Sequence, residues 1–351
     1  MATGKSAPKS NGSVLSIRRL YRPLGFATVA GFILFLVFTG SLLCFAVNRI
    51  NHYLHFDFCV EGPTTGRPGR PREVPGECYW FRRGLERFGY AIHIYAIIPA
   101  AFLACLQFIP ALQRAKLVLF HRINGYIVLP LAVVGAVGAV IIGVRAVGGP
   151  LTFQLGNIFA ATLFVTELAM AYVSIRKLRI DQHREWMLRA WIGASFIVSM
   201  RPIFLLVALK ISGPNSPYYV AMDCKVIDYM LKGSHDRIME LAPGCAAYVR
   251  GEKPAQWTAI QANLDLSRKD PVGAAAAIQV SFPAVGMLLY LIHLVGAEIY
   301  IHMTSAESER LKVLSKQRQM LRAQALLGEV PSEQVPAIEQ PAILDLKSGS
   351  H

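Results

Sequence analysis

Two histidines and a carboxylate stand near one end of the apolar segments of this sequence. His121 and His183 lie at the starts of two such segments, while Glu167 and His293 lie about two helical turns inside two others. Gln107 falls at the same end of a further segment. Two histidines with a carboxylate, or paired histidines on facing helices, are the ligands that a metal ion or a b-type haem uses. A histidine at a membrane interface can instead cap a helix or extend its ring to the polar surface, so both interpretations stay open.

A second group of polar residues falls near the opposite end of the segments. It consists of His93, Asn157 and Arg201, which lie at similar depth and predict a polar pocket. Ionisable groups cost a few kcal/mol each at membrane depth, which makes them the first place to look for function. The alternative is local, with Arg201 satisfying backbone carbonyls freed at Pro202 and His93 bonding a neighbour. His93 and Gln107 share one helix face, which would connect the two groups.

The elements that must position these residues are transmembrane helices. The chain is 54% hydrophobic and 17% charged, with a mean hydropathy of +0.40, a balance too apolar for an ordinary soluble domain. A bilayer core about 30 Å thick needs about 20 mostly apolar residues per helix. Six stretches reach that length, so we predict an all-α, polytopic transmembrane bundle of six helices. They cover residues 24–47, 88–112, 119–147, 151–175, 186–209 and 274–301.

The distribution of basic residues predicts the orientation of this bundle. The formal net charge is +14, and Lys and Arg concentrate before the first predicted helix and in the short loops after the second and fourth. Cytoplasmic segments carry such an excess, so we expect both termini in the cytoplasm of a cell whose plasma membrane or endomembrane holds the protein. The same residues favour contact with anionic lipid. No basic patch interleaved with aromatic residues lies outside the membrane-flanking segments, so nucleic acid is not an expected partner.

The chain divides into a membrane domain and two polar ends. We predict a flexible cytoplasmic tail over residues 1–23, a transmembrane domain over 24–301 with outer loops 48–87 and 210–273, and a cytoplasmic helix followed by a disordered tail over 302–351. Each outer loop carries two cysteines, Cys59 with Cys78 and Cys224 with Cys245. Even counts on an oxidising side predict one disulfide within each loop. The alternative is four free thiols.

Several of these residues fall in short motifs that resemble a family of membrane proteins, domain of unknown function 2306. The motifs are Gln107-Phe108-Ile109-Pro110, His121-Arg122-Ile123-Asn124-Gly125 and His183-Arg184-Glu185-Trp186-Met187-Leu188-Arg189, together with His93, Arg114 and Arg201. The likeness covers residues 90–209 and implies a membrane fold in which these are family positions. A looser likeness is to cytochrome b561-type bundles, in which histidine pairs on four consecutive helices hold two haems. The fourth predicted helix has no histidine, so that likeness implies at most one site, at His121 and His183.

Three functions remain open from the sequence. The first is transmembrane electron transfer through a haem b or metal ion, with cofactor ligands from His93, His121, His183 and His293, and with Glu167 as a further metal ligand. The second is a transporter or a lipid- or small-molecule-binding protein, whose polar pocket would comprise Gln107, Arg114, Asn157, Arg189 and Arg201 and hold an anionic group. The third is a non-catalytic accessory membrane partner. The sequence has no P-loop, zinc-protease motif or nucleophile elbow, so those enzyme classes are not expected.

Overall fold

The structure is a computed structural model that describes residues 19–26, 28–55, 59, 74–113, 117–264 and 269–327. The predicted tails, together with Arg114, lie largely or wholly outside the described residues. The α-helices are α1 (Val29–His55), α2 (Glu77–Phe81), α3 (Gly84–Gln107), α4 (Val118–Gly143), α5 (Leu151–Arg176), α6 (Ile180–Ala194), α7 (Phe196–Ile211), α8 (Cys224–Met230), α9 (His235–Leu241), α10 (Ala246–Val249), α11 (Pro271–Met303) and α12 (Ser305–Leu326). Two strands, β1 (Tyr219–Asp223) and β2 (Trp257–Gln261), pair antiparallel.

Six helical segments are long and apolar enough to cross a membrane, which confirms the predicted fold class. They are Val29–Ile50 of α1, α3, α4, α5, the continuous stretch Ile180–Ile211 formed by α6 and α7, and α11. Only Ser195 separates α6 from α7. Among residues 29–50, all of which the structure describes, only Ala46 is buried, so α1 is a peripheral helix.

The helix ends differ from the predicted ones for local reasons. α3 ends at Gln107 rather than near residue 112, because the residue before Pro110 disfavours helical backbone angles. α4 ends at Gly143, and the chain then turns through Val147, whose φ is 54°. α6 begins at Ile180 rather than near residue 186, since its first turns are polar and carry no hydropathy signal.

The two ends of the bundle are built differently. We call the end that carries residues 212–264 the cap end; there β1, β2 and the short helices α8 to α10 enclose a small core with Ile227, Ile238 and Ile260. The disulfide Cys224–Cys245 lies in this cap, and Cys59–Cys78 lies at the same end. The predicted pairing of one bridge per loop is therefore confirmed.

The opposite end, which we call the basal end, holds the start of α4 and the end of α3. The helix α12 also packs there, against the start of α6. The hydroxyl of Ser315 accepts a hydrogen bond from the Ile180 amide at 2.8 Å, and the Arg184 guanidinium donates to Thr304 at 2.8 Å. These contacts fix the C-terminal helix beside the residues predicted to carry chemistry.

Within the bundle, α3 and α4 approach each other closely along a strip of glycines. A Cβ atom added at Gly138 would lie 2.6 Å from the backbone nitrogen of His93, and one added at Gly135 would lie 3.2 Å from Ile97. The glycines Gly135 and Gly138 of α4 thus form a helix-packing surface. It brings the polar residues of α3 and α4 together.

Candidate functional site

Arg201 is an arginine inside the bundle, ten residues before the end of α7 and so about 15 Å along the helix from the cap end. Its guanidinium carbon lies 5.6 Å from the ring centre of Phe45 on α1 and 5.4 Å from that of Phe282 on α11. Its Nε is buried without a hydrogen-bond partner, and no ion pair in the described part of the chain includes this residue. Among the described residues, the close contacts of this guanidinium are therefore the two aromatic rings.

A second arginine shares one of these rings. The guanidinium carbon of Arg49, on α1, also lies 5.6 Å from the centre of Phe45, and the two positive charges act on each other. The acid within electrostatic reach of Arg201 is Glu77 of α2, whose Oε1 accepts a hydrogen bond from the Val147 amide at 2.8 Å. We call Arg49 and Arg201 the arginine cluster. With Glu77 its net charge is +1.

His93 and Asn157, predicted to share a pocket with Arg201, both bond the backbone of α4. The His93 Nδ1 donates to the Gly135 carbonyl at 2.7 Å, and His93 lies within electrostatic reach of Arg201. The Asn157 Nδ2 donates to the Ala139 carbonyl at 2.7 Å and so ties α5 to α4. No hydrogen bond from Arg201 to a carbonyl near Pro202, the predicted local alternative, occurs in the part of the chain that the structure describes.

At the basal end, a polar cluster lies between α3 and α4. The Gln107 Nε2 donates to the His121 carbonyl, and the Asn124 Nδ2 donates to the Leu103 carbonyl, each at 2.9 Å. Three further atoms of these side chains, Oε1 of Gln107, Oδ1 of Asn124 and Nδ1 of His121, are buried without a partner in the described residues. Unpaired buried polar atoms call for water or a polar ligand.

The other two basal histidines, His183 and His293, differ in how many of their ring nitrogens form hydrogen bonds in the described part of the chain. The His183 Nδ1 donates to the Ala171 carbonyl of α5 at 2.9 Å, and His183 acts electrostatically on His121. The His293 Nδ1 donates to the Leu289 carbonyl at 2.7 Å, while its Nε2 lies 3.1 Å from the Ser199 hydroxyl. Both ring nitrogens of His293 are therefore engaged, whereas the Nε2 of His183 has no hydrogen-bond partner among the described residues.

Glu167 and Arg189, also predicted site residues, lie in the same half of the bundle. Arg189 of α6 forms a two-pronged ion pair with Glu298 of α11, at 2.5 and 3.0 Å, and stacks on Trp186 at 4.8 Å. Glu167 is 4% exposed on α5, within electrostatic reach of both ions. The described residues hold no group of three or more His, Cys, Asp or Glu side chains suited to a metal ion, so His121, His183 and Glu167 do not converge as metal ligands.

Most of the predicted site residues lie in one stretch of the chain. Residues 90–230 match the family model DUF2306, described as a predicted membrane protein. The resemblance drawn from the motifs is thereby confirmed. No curated protein and no solved structure matches the chain. The likeness to cytochrome b561-type bundles is not borne out.

Some candidate residues lie inside the stretch that matches DUF2306, and others lie outside it. The matched stretch supplies His93, the basal polar cluster, His183 and Arg201, whereas α1 and α11 lie outside it. Residues from outside therefore complete both ends of the site, Arg49 at the arginine cluster and Glu298 beside Glu167.

Arg49, Asn124 and Glu298 are contributing residues that the predicted site does not include. Arg49 looked like an ordinary flank of the first apolar segment, just beyond its predicted end at residue 47. Asn124 was visible only as part of a motif, although an amide inside an apolar segment is itself a signal of a polar contact.

Proposed function

We propose that this membrane protein binds the anionic head group of a membrane amphiphile at the arginine cluster, between α1, α7 and α11. The observation that carries the proposal is the guanidinium of Arg201, which lies inside the bundle between two phenyl rings without an ion pair among the described residues. A carboxylate or phosphate is the ligand that a planar guanidinium fork binds best.

The energetic argument rests on the cost of an uncompensated charge. An arginine at the centre of a membrane helix costs about 2.5–3.5 kcal/mol on insertion scales. Arg49 adds a second positive charge across the same ring, and like charges at this separation repel more strongly in a medium of low dielectric constant than in water. A bound anion removes both costs, and Glu77 offsets them only in part because one of its oxygens is already bonded to Val147.

An amphiphile fits the surroundings better than a soluble anion does. The rings of Phe45 and Phe282 line the site, and Phe45 belongs to α1, the helix with a single buried residue between positions 29 and 50. Such a weakly embedded helix leaves a lateral path from the bilayer, along which an acyl chain stays in lipid while its head group reaches the arginines. The acyl chain would then extend along α1.

The proposal predicts a specific loss in Arg201→Gln. With the protein in nanodiscs of phosphatidylcholine, we expect added phosphatidylglycerol to bind the parent and to bind this variant about 10- to 100-fold more weakly, because a charge-assisted hydrogen bond contributes about 1.5–3 kcal/mol. Native mass spectrometry of the bound lipid measures the effect. Arg145→Gln is the matched control, since Arg145 lies at the cap end but is 42% exposed and faces Glu86.

Thermal unfolding of the same proteins separates a binding role from a structural one. Without anionic lipid, Arg201→Gln should be at least as stable as the parent, because it removes an uncompensated charge. Equal binding of phosphatidylglycerol by parent and variant would contradict the proposal. If inorganic phosphate raised the thermal stability of the parent as much as phosphatidylglycerol does, the ligand would be a soluble anion.

A second candidate function is electron transfer through a haem held by His121 and His183. One observation favours it: the Nδ1–H of His183 is fixed on the Ala171 carbonyl, the arrangement that orients an imidazole to offer Nε2 to a metal. His293 fits less well, since both its nitrogens are engaged. A Soret band in the purified protein, lost in His183→Ala and kept in His293→Ala, would support this candidate.

A further inference from the structure

Glu167 is a buried carboxyl that the anion site does not use. We infer that Glu167 is a proton-binding site in the basal half of the bundle, where it takes up a proton from water at the basal surface and becomes a neutral carboxylic acid. The inference does not depend on the arginine cluster, which lies at the other end.

The first argument is the position of the side chain. Glu167 is 4% exposed and lies nine residues before the end of α5, about 13 Å along the helix. Phe164, Leu168 and Ala190 form the buried apolar cluster around this part of α5. No hydrogen bond or ion pair of Glu167 occurs within the described residues, and an ionised carboxylate at such a place needs a compensating partner.

The second argument is the count of charges that face Glu167. From α6 comes Arg189, which itself lies 3.9 Å from Glu185, while His183 contacts α5 one turn further on, at the Ala171 carbonyl. From α11 come Glu298 and the phenol of Tyr290. The α4 residues in the same cluster are apolar, among them Ala132 and Ala136.

Among the described residues, the cation that faces these acids is Arg189, and it is already committed to another carboxylate. Arg189 holds both oxygens of Glu298 and lies 3.9 Å from Glu185. One guanidinium cannot neutralise three carboxylates, and Glu167 is the most buried of the three. A bound proton on Glu167 removes the charge of the most buried carboxylate, and the two that remain ionised are partly exposed. Glu298, with 57% of its side chain exposed, connects this group of residues to the basal surface.

Infrared difference spectroscopy on the full-length protein in nanodiscs tests the inference. Between about pH 5 and about pH 9, a range that spans ordinary carboxyl and histidine titration, we expect the carbonyl stretching band of a protonated acid in an apolar environment. The band should correspond to one carboxyl and disappear in Glu167→Gln. Glu307→Gln is the control, because Glu307 is an exposed carboxylate of α12 paired with Arg310, and it should leave the band unchanged.

A second variant keeps the test decisive even if Glu167→Gln folds poorly. Glu298→Gln removes one negative charge and releases Arg189, so Glu167 gains a cation of its own. The band should then appear only at a pH about 1–3 units lower than in the parent, because an opposite charge at short range favours the ionised carboxylate. The inference is overturned if the parent shows no such band, if Glu167→Gln retains it, or if Glu298→Gln leaves it in place or moves it to higher pH.

Discussion

At the scale of the residue, the polar side chains of the bundle separate by whether their hydrogen-bonding groups are used. His93, Asn157 and His183 each donate to a backbone carbonyl of a neighbouring helix, at 2.7 to 2.9 Å. Such bonds explain why a polar residue is tolerated in lipid, and they need no ligand. The candidates for function are the groups left over, with Arg201 at one end and Glu167 at the other. Residue type alone does not make this distinction.

A single glycine controls how closely the helices carrying these groups approach. In Gly138→Ala, the new methyl group would meet the backbone of His93 at 2.6 Å and the Gly89 carbonyl at 2.8 Å. Backbone cannot move aside as a flexible side chain can, so we expect a loss of about 1–3 kcal/mol in the free energy of unfolding. Denaturant or thermal unfolding in detergent measures it.

Gly296→Ala is the matched control for this prediction. Gly296 lies in α11 with nothing within 4 Å of an added Cβ atom, so the exchange should be neutral or gain up to about 1 kcal/mol from helix propensity. If the two alanine variants proved equally stable, the close approach of α3 and α4 would not be a determinant of the fold.

At the scale of the element, the fifth membrane span is interrupted in its middle. α6 ends at Ala194 and α7 starts at Phe196, while the Ser195 hydroxyl donates to the Ile192 carbonyl at 2.7 Å. The basal half packs against α5, α11 and α12, and the cap-end half packs mainly against α11. One span thereby supplies His183 to the basal end and Arg201 to the arginine cluster.

The cap is the element whose stability depends on a covalent bond. Cys224 and Cys245 are both fully buried, 21 residues apart, beside the apolar core of the cap. Replacing both with serine should lower the stability of the cap by about 2–5 kcal/mol, as expected for a small disulfide-bonded unit. Hydrogen exchange should then be faster in residues 219–261 and unchanged in α4 and α5.

The free cysteine Cys44 provides the control for the cap prediction. It is exposed on α1, so Cys44→Ser should leave exchange in the cap as it is. The bridge Cys59–Cys78 should still form when the cap bridge is absent, because each joins residues of its own loop. Faster exchange throughout the membrane helices would mean that the cap also holds the bundle together.

At the scale of the whole molecule, the six candidate spans start and finish at the same end of the bundle. The first and last spans begin and finish at the basal end, where α12 packs against α6. The excess of Lys and Arg in the segments at that end leads us to propose that it faces the cytoplasm. The arginine cluster would then lie toward the outer leaflet, and Glu167 toward the inner one.

Reporter fusions test this orientation. A reporter inserted after Lys232, in a turn of the cap, and one at the C-terminus should report opposite sides, with the C-terminal one cytoplasmic. The control is a fusion after Leu178, in the turn between α5 and α6, which should agree with the C-terminal reporter. Agreement between the Lys232 and C-terminal reporters would contradict the proposed topology.

The sequence by itself determined the membrane class, the number of spans and the pairing of the cysteines. Each of these follows from composition over about 20 residues or from the sharing of one loop, and such properties need no contact between distant residues. The family motifs also located the stretch that carries most of the polar groups, including His121 and Arg201.

Only the tertiary structure decided which of those groups are free. In the folded chain, both ring nitrogens of His293 have hydrogen-bond partners, and Arg189 pairs with Glu298, 109 residues away in sequence. Arg49 lies against the ring that Arg201 also contacts. A hydrogen bond or ion pair between helices depends on rotation and register, which apolar segments of similar composition do not encode locally. The difference between a satisfied polar residue and a binding site is therefore a property of the packed bundle.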